Sequence, residues 1–227
     1  MQTSILIKVG KEEHLQKFQN EGMLHCETLD YFANIEDGSR RGDKTETATE
    51  FFNNANYILT IFDKIDSNKS IKIKLQKAHF SEQKQPINLF CLYAVNIFDH
   101  EENTPFILEQ RFNEKEWGTH FIIITQAQTF VERVKTVLVE MKLGMISDFV
   151  RYVDLANYKG ENDGFIKDES YSYQKEFRIR IKNYESKCID IFVGNLSEVT
   201  SSIYSLDVFK TLKMYYKKFN PHFGARL

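Results

Sequence analysis

The chain has 227 residues, with 30 Lys and Arg against 32 Asp and Glu, so its formal net charge is −2. This balance excludes a protein that binds duplex nucleic acid through a broad basic surface. Hydrophobic residues make up 42% of the chain, which excludes a disordered polymer and is typical of one globular domain, here residues 1–227. No apolar run approaches the roughly 20 residues that span a membrane, and no signal-peptide core is present. We therefore expect a cytoplasmic protein without membrane contact.

The first third of the sequence alternates between strand and helix patterns. A β-branched run at 4–9 predicts a strand, and the segment 11–22, which ends at a glycine, predicts a helix. Residues 23–28 predict a second strand, and 29–37 a helical turn. The polar stretch 37–50 then predicts a long loop, a kind of segment that often carries function.

The remainder of the chain is rich in strand patterns. Helices are predicted at 126–142 and 205–219, and strands at 57–63, 70–76, 88–98, 119–125, 146–154, 173–181 and 188–193. This order predicts an α+β fold with a mixed or antiparallel sheet of about six to eight strands and flanking helices.

Metal and disulfide sites are not expected. Cys26, Cys91 and Cys188 form no CxxC pair and fall in strand-like stretches, so we predict buried free thiols in a reducing compartment. The six histidines show no ligand spacing typical of zinc. Asp43 and Glu46 could bind a cation, but a solvated polar loop is the simpler interpretation.

A Gln-x-Glu pattern lies near the start of the predicted strand 173–181. Because side chains alternate along a strand, Gln174 and Glu176 should point to the same face. Lys167, Tyr171 and Tyr173 lie on the loop that leads into this strand. The arrangement resembles the signature of mono-ADP-ribosyltransferases, in which the motif follows a loop that carries an aromatic residue.

This resemblance implies an ADP-ribosyltransferase-like fold, NAD as the substrate and no metal. Glu176 would stabilise the oxocarbenium-like transition state of nicotinamide–ribose cleavage. Gln174 would orient the attacking group of the target, with Tyr171, Tyr173 and Lys167 facing that target. The acceptor could be RNA, DNA or protein.

Several features leave the interpretation of this motif open. Arg178 and Arg180 share the face of Glu176, and they could either hold it ionised or convert it to an inert ion pair. Residues 19–21 also read Gln-x-Glu, and 114–116 read Glu-x-Glu. The alternative is a polar strip on an ordinary half-buried strand.

The resemblance also implies an NAD site in the first half of the chain. Lys8 lies on the first strand where the family has Arg or His, so either Lys8 or the loop residues Arg40 and Arg41 would contact the phosphates. Tyr31 could stack on nicotinamide, although its position beside a core-facing aromatic also favours the rim of the core. Thr125 would partly replace the Ser-Thr-Ser motif of the family.

A second resemblance spans roughly residues 5–182. Its phrases occur in the same order in a widespread set of uncharacterised bacterial proteins: NEGMLHCETLDYF, RRGDKTE, EWGTHFIIIT, VRYVD and FIKDESYSYQKEFRI. Some bacterial ADP-ribosyltransferases are toxins restrained by an antitoxin protein, and some act on nucleic acid in defence against phage. The two resemblances together imply a toxin or antiviral effector.

The C-terminal segment supports a different function. Residues 210–219 combine lysines with aromatic side chains, a composition that can bind single-stranded nucleic acid by stacking and charge. A solvated helix with extended lysines explains the same pattern. The alternative function is therefore a non-catalytic binding module for nucleic acid or a protein partner.

Overall fold

The structure is a computed structural model that describes residues 4–35, 43–52, 57–62, 69–75, 79–81, 87–96, 101–102, 104, 106–107, 117–185, 187–211 and 213–214. It is an α+β fold in which strands predominate, as predicted. The helices are α1 (Glu12–Glu21), α2 (Leu29–Ala33), α3 (Ala127–Glu140), α4 (Leu206–Thr211) and a 3-10 helix (Glu169–Gln174). None of the described helices has the length and apolar character needed to span a membrane.

The strands are β1 (Ser4–Gly10), β2 (Met23–Thr28), β3 (Ala48–Phe52), β4 (Tyr57–Phe62), β5 (Ser70–Leu75), β6 (His79–Ser81), β7 (Ile87–Asn96), β8 (Phe106–Ile107), β9 (His120–Ile124), β10 (Gly144–Phe149), β11 (Arg151–Val153), β12 (Lys159–Glu161), β13 (Ile166–Asp168), β14 (Glu176–Lys182), β15 (Ile189–Phe192), β16 (Thr200–Ser205) and β17 (Lys213–Met214).

Eight of these strands form one sheet, which confirms the predicted strand number. Its main order is β10-β14-β7-β1-β9-β16, and β2 joins β7 to β15 beside this path. All of its strand pairs are antiparallel. Smaller sheets unite β12, β3 and β6, and pair β11 with β13.

A gap opens along one edge of the central strand β7. The register with β1 ends at Tyr93, and the register with β2 ends at Leu89. Between these two positions, β7 pairs with β14 on its other edge, where Arg178 lies opposite Cys91. The divergence of β1 from β2 thus leaves room for side chains at the centre of the sheet.

Helices α1 and α3 cover one face of the large sheet. Leu15 and Phe18 of α1 and Phe130 and Val134 of α3 pack with the apolar side chains of that face. The opposite face has a smaller cluster that includes Ile7. Helix α1 ends because Gly22 adopts the left-handed conformation, with φ of 66°, which suits glycine.

Three local predictions were wrong in part. The predicted strand 173–181 begins only at Glu176, because Gln174 ends the 3-10 helix and Lys175 takes a left-handed φ of 42°. The predicted C-terminal helix 205–219 is confirmed at Leu206–Thr211, but Lys213–Met214 form a short strand, and residues 215–219 lie outside the described residues. Cys188 is exposed and lies just before β15, whereas Cys26 is buried within β2.

Candidate active site

A cavity of about 180 Å³ lies in the gap beside β7. Strand β14 begins at the cavity, directly after Lys175, which ends the 3-10 helix in the left-handed conformation. The Lys175 carbonyl accepts a hydrogen bond from the Ala94 amide. The Glu176 amide donates to the Tyr152 hydroxyl at 2.9 Å, which ties the start of β14 to β11. The cavity is lined by charged, polar and apolar side chains: Ile7, Lys8, Val9, His25, Glu27, Phe32, Glu46, Leu89, Cys91, Leu92, Tyr93, Trp117, Lys167, Gln174, Glu176 and Arg178.

Gln174 and Glu176 converge as predicted, although the geometry differs from a regular strand. The Lys167 ammonium donates to Gln174 Oε1 at 2.7 Å and to Glu176 Oε1 at 2.6 Å. All three side chains are buried, with Lys167 and Gln174 each 2% exposed. Strand alternation was the predicted reason why the Gln174 amide and the Glu176 carboxylate share a face. In the structure, the two residues are instead joined by Lys175 in the left-handed conformation.

Glu46 completes this network from the loop before β3. Its carboxylate accepts two hydrogen bonds from the Arg178 guanidinium, at 2.6 and 2.9 Å, and lies 3.2 Å from Lys167 Nζ. The solvated-loop interpretation was therefore wrong, because Glu46 is 2% exposed and Asp43 is 4% exposed. Glu46 is buried because the buried Arg178 guanidinium needs a pair of acceptors in its plane.

Arg178 organises the network through its rigid fork of donors. Besides the two bonds to Glu46, it donates from Nε to Glu176 Oε2 at 2.7 Å and from Nη1 to the Gly164 carbonyl at 2.8 Å. Arg180 instead donates to the Asp163 carbonyl. Of these two arginines, Arg178 is therefore the one that contacts Glu176 directly.

The network holds Glu176 ionised. Burial by itself raises the pKa of the Glu176 carboxyl, but the charges of Arg178 and Lys167 outweigh burial and lower that pKa to about 2. Burial likewise lowers the pKa of Lys167, and the charges of Glu176 and Glu46 outweigh it and raise that pKa above its usual value. Glu176 and Lys167 are thus both charged at neutral pH.

Lys8 contributes a cation of a different kind. Its Nζ donates to the Cys91 carbonyl at 3.0 Å, within the gap beside β7, and lies 4.2 Å from the centroid of the Phe90 ring. No carboxylate is within salt-bridge distance of Lys8 among the described residues. Burial lowers the pKa of Lys8, and it outweighs the charge of Glu176, which acts in the opposite direction.

Charged groups of both signs line the cavity. Lys8, Lys167 and Arg178 face the carboxylates of Glu46 and Glu176, and Glu27 is a third carboxylate in the lining, hydrogen-bonded to His25 at 3.0 Å. Among the described residues, Lys8 is the basic side chain of this set that no carboxylate pairs, so it is the one available to an anionic ligand.

The other predicted site residues are placed as follows. The Tyr171 ring lies with its centroid 5.4 Å from Lys167 Nζ, and Tyr173 lies in the same 3-10 helix. Tyr31 is 43% exposed and contacts Phe32 edge to face, as expected for the rim of the core. Thr125 is exposed after β9, where its amide donates to the Val199 carbonyl, and it does not line the cavity. Arg40 and Arg41 lie outside the described residues.

The sequence did not identify Glu46, Trp117 or Glu27 as members of this site. Glu46 lies in a polar stretch with no periodic signal, and its partner Arg178 is 132 residues away. Trp117 is the only tryptophan of the chain. Comparison with protein-family models, curated proteins and solved structures finds no match to this chain.

Proposed function

We propose that the cavity binds the nicotinamide end of NAD and that the protein transfers ADP-ribose to a macromolecule. The observation that carries this proposal is the convergence of Gln174 and an ionised Glu176 on a cavity that Lys8 also lines. A transferase of this type needs a carboxylate that stays charged while positive charge develops on the ribose.

The size of the cavity limits which part of NAD enters it. A cavity of about 150 Å³ holds one benzene ring, whereas pockets for complete drug-sized ligands measure roughly 300–1,000 Å³. The volume of about 180 Å³ therefore fits an aromatic ring such as nicotinamide. The rest of the dinucleotide would lie outside it, and Lys8 would attract its phosphates.

The remaining hydrogen-bond capacity of Glu176 fits a role at the ribose. Each of its two carboxylate oxygens accepts one hydrogen bond from a cation. A carboxylate has about four acceptor positions, so about two remain for ribose hydroxyls. During transfer, nicotinamide would leave with the electron pair of the C–N bond. The acceptor would then bond to the ribose carbon and lose its proton.

A non-catalytic binding module remains the second candidate. One observation favours it: Lys167 and Arg178 already neutralise Glu176, so the carboxylate can serve to hold a binding pocket together. The basic C-terminal stretch that suggested nucleic-acid binding is mostly outside the described residues. A module of this kind would transfer no label from NAD, whether residue 176 is glutamate or glutamine.

The test is transfer of label from isotopically labelled NAD to the protein and RNA of a cell lysate. We expect labelling by the wild type and its loss in Glu176→Gln. Glu21→Gln is the matched control, because it alters the other Gln-x-Glu sequence, at the exposed end of α1, and should label normally.

Two further measurements keep the result interpretable. Circular dichroism checks that Glu176→Gln is folded, and Lys8→Gln removes the predicted phosphate contact without breaking the Glu176 network. No labelling by the wild type, in lysates that supply activators and acceptors, would refute the transferase proposal. Equal labelling by wild type and folded Glu176→Gln would also refute it.

A further inference from the structure

Four polar side chains form a square on one face of the β2–β15 pair. His25 and Glu27 lie two residues apart on β2, so both point to the same face. Asp190 is the strand partner of His25, and extending the register by one residue places Cys188 opposite Glu27. The potential ligand atoms of His25, Glu27 and Cys188 all lie within 4.8 Å of one another.

The hydrogen bonds of this square already orient the imidazole. His25 Nδ1 is 2.6 Å from Asp190 Oδ1, and His25 Nε2 is 3.0 Å from Glu27 Oε1. In protein metal sites, a carboxylate that accepts from one ring nitrogen typically fixes the other nitrogen toward the metal. Asp190 has that position relative to His25. A metal would then bind on the side of Nε2, where Glu27 would be its second ligand.

The segment that carries Cys188 is held by a buried amide. Asn88, which is fully buried on β7, donates from Nδ2 to the Cys26 carbonyl at 2.9 Å and to the Lys187 carbonyl at 2.9 Å. Asn183 donates to the same Lys187 carbonyl at 3.2 Å. These contacts fix the backbone directly before Cys188 next to β2, so the thiol is kept beside the imidazole.

We propose that His25, Glu27 and Cys188 bind a zinc ion, with Asp190 as the positioning residue for His25. One nitrogen, one carboxylate oxygen and one thiolate are ligands that Zn²⁺ prefers, and three protein ligands leave a fourth position for water or a ligand. The side chains of His25 and Glu27 are 50% and 25% exposed, so an ion can enter. Because His25 and Glu27 also line the cavity, the open position would lie at its edge.

The proposal is tested by titrating the purified, metal-free protein with Co²⁺ as a spectroscopic substitute for Zn²⁺. We expect one equivalent of Co²⁺ to produce a thiolate-to-cobalt charge-transfer band that Zn²⁺ then removes. Cys188→Ser should abolish the band, because Cys26 is buried and its side chain points to the opposite face of β2 from His25 and Glu27.

Variants of His25 and Asp190 separate a metal site from general folding effects. His25→Gln should weaken Co²⁺ binding by about tenfold or more, and Asp190→Asn should weaken it by roughly 10–100-fold while retaining the band. His14→Gln is the matched control, because His14 also lies beside a glutamate, at 3.6 Å from Glu13, on an exposed surface. Its affinity should not change.

Absence of the charge-transfer band in the wild type would overturn the proposal. Persistence of the band in Cys188→Ser, or unchanged affinity in a folded His25→Gln, would overturn it as well. The readout requires no NAD, so this result is independent of the transferase proposal.

Discussion

Replacing Arg178 by methionine should destabilise the protein strongly, because it leaves two buried carboxylates without their main partner. Arg178 is 1% exposed and makes four hydrogen bonds, three of them to the carboxylates of Glu46 and Glu176. Lys167 alone would then face both carboxylates. Removing one member of a buried ion pair typically costs roughly 3–5 kcal/mol, and we expect Arg178→Met to fall in that range.

Arg180→Met is the matched control, two residues further along β14. Arg180 is half-buried and donates a hydrogen bond to the Asp163 carbonyl at the surface. Its loss should reduce the free energy of unfolding by about 1 kcal/mol. Both variants exchange the same two side-chain types, so they differ mainly in the burial of the charge that each removes.

The assay is urea unfolding, followed by far-UV circular dichroism and by the fluorescence of Trp117, the only tryptophan. The expected result is a large fall in the midpoint for Arg178→Met and a small one for Arg180→Met, with unchanged slopes. Equal free energies of unfolding for the two variants would refute the buried network around Glu176.

Three further predictions follow from the same structure. Because the pKa of Glu176 is lowered from 4.5 to about 2, its ionised carboxylate stabilises the fold above pH 4.5, and this stabilisation is lost as the pH falls toward 2. In urea unfolding across that pH range, the free energy of unfolding should therefore fall by about 3 kcal/mol more in the wild type than in folded Glu176→Gln. An equal fall in both proteins would contradict this. Gly22→Ala should lose more than about 1 kcal/mol in thermal or urea unfolding, because φ is 66° and a Cβ would lie 2.1 Å from the Gly194 carbonyl oxygen. Gly144→Ala is its control, since the nearest atom would be 3.6 Å away, and equal losses would refute the close approach. Iodoacetamide should modify exposed Cys188 first, as read by mass spectrometry of peptides, while buried Cys26 reacts only after unfolding; early modification of Cys26 would contradict its burial.

The sequence predicted the elements whose signals are local. Apolar runs located the central strand β7, and i, i+3 spacing located α1, because each pattern depends on residues within one element. Strand β16, with sequence TSSIYS, was not predicted, since its serines give a weak strand signal and its place is set by pairing with β9. Tertiary pairing decides such cases.

The candidate site was predicted only where its residues are close in sequence. Lys167, Gln174 and Glu176 lie within ten residues, so one motif could identify them together. Glu46 and the square of His25, Glu27 and Cys188 depend on contacts between distant segments. No spacing rule applies to such contacts, because the fold alone brings those side chains together.

The most direct test of the proposed function is the binding of NAD to the purified protein, measured by isothermal titration calorimetry. We predict saturable binding by the wild type and an affinity at least about tenfold lower for Lys8→Gln, which corresponds to about 1.4 kcal/mol. Lys142→Gln, at an exposed position after α3, should bind NAD like the wild type. Absence of NAD binding, or equal affinity in Lys8→Gln and the wild type, would contradict the assignment of this cavity to NAD.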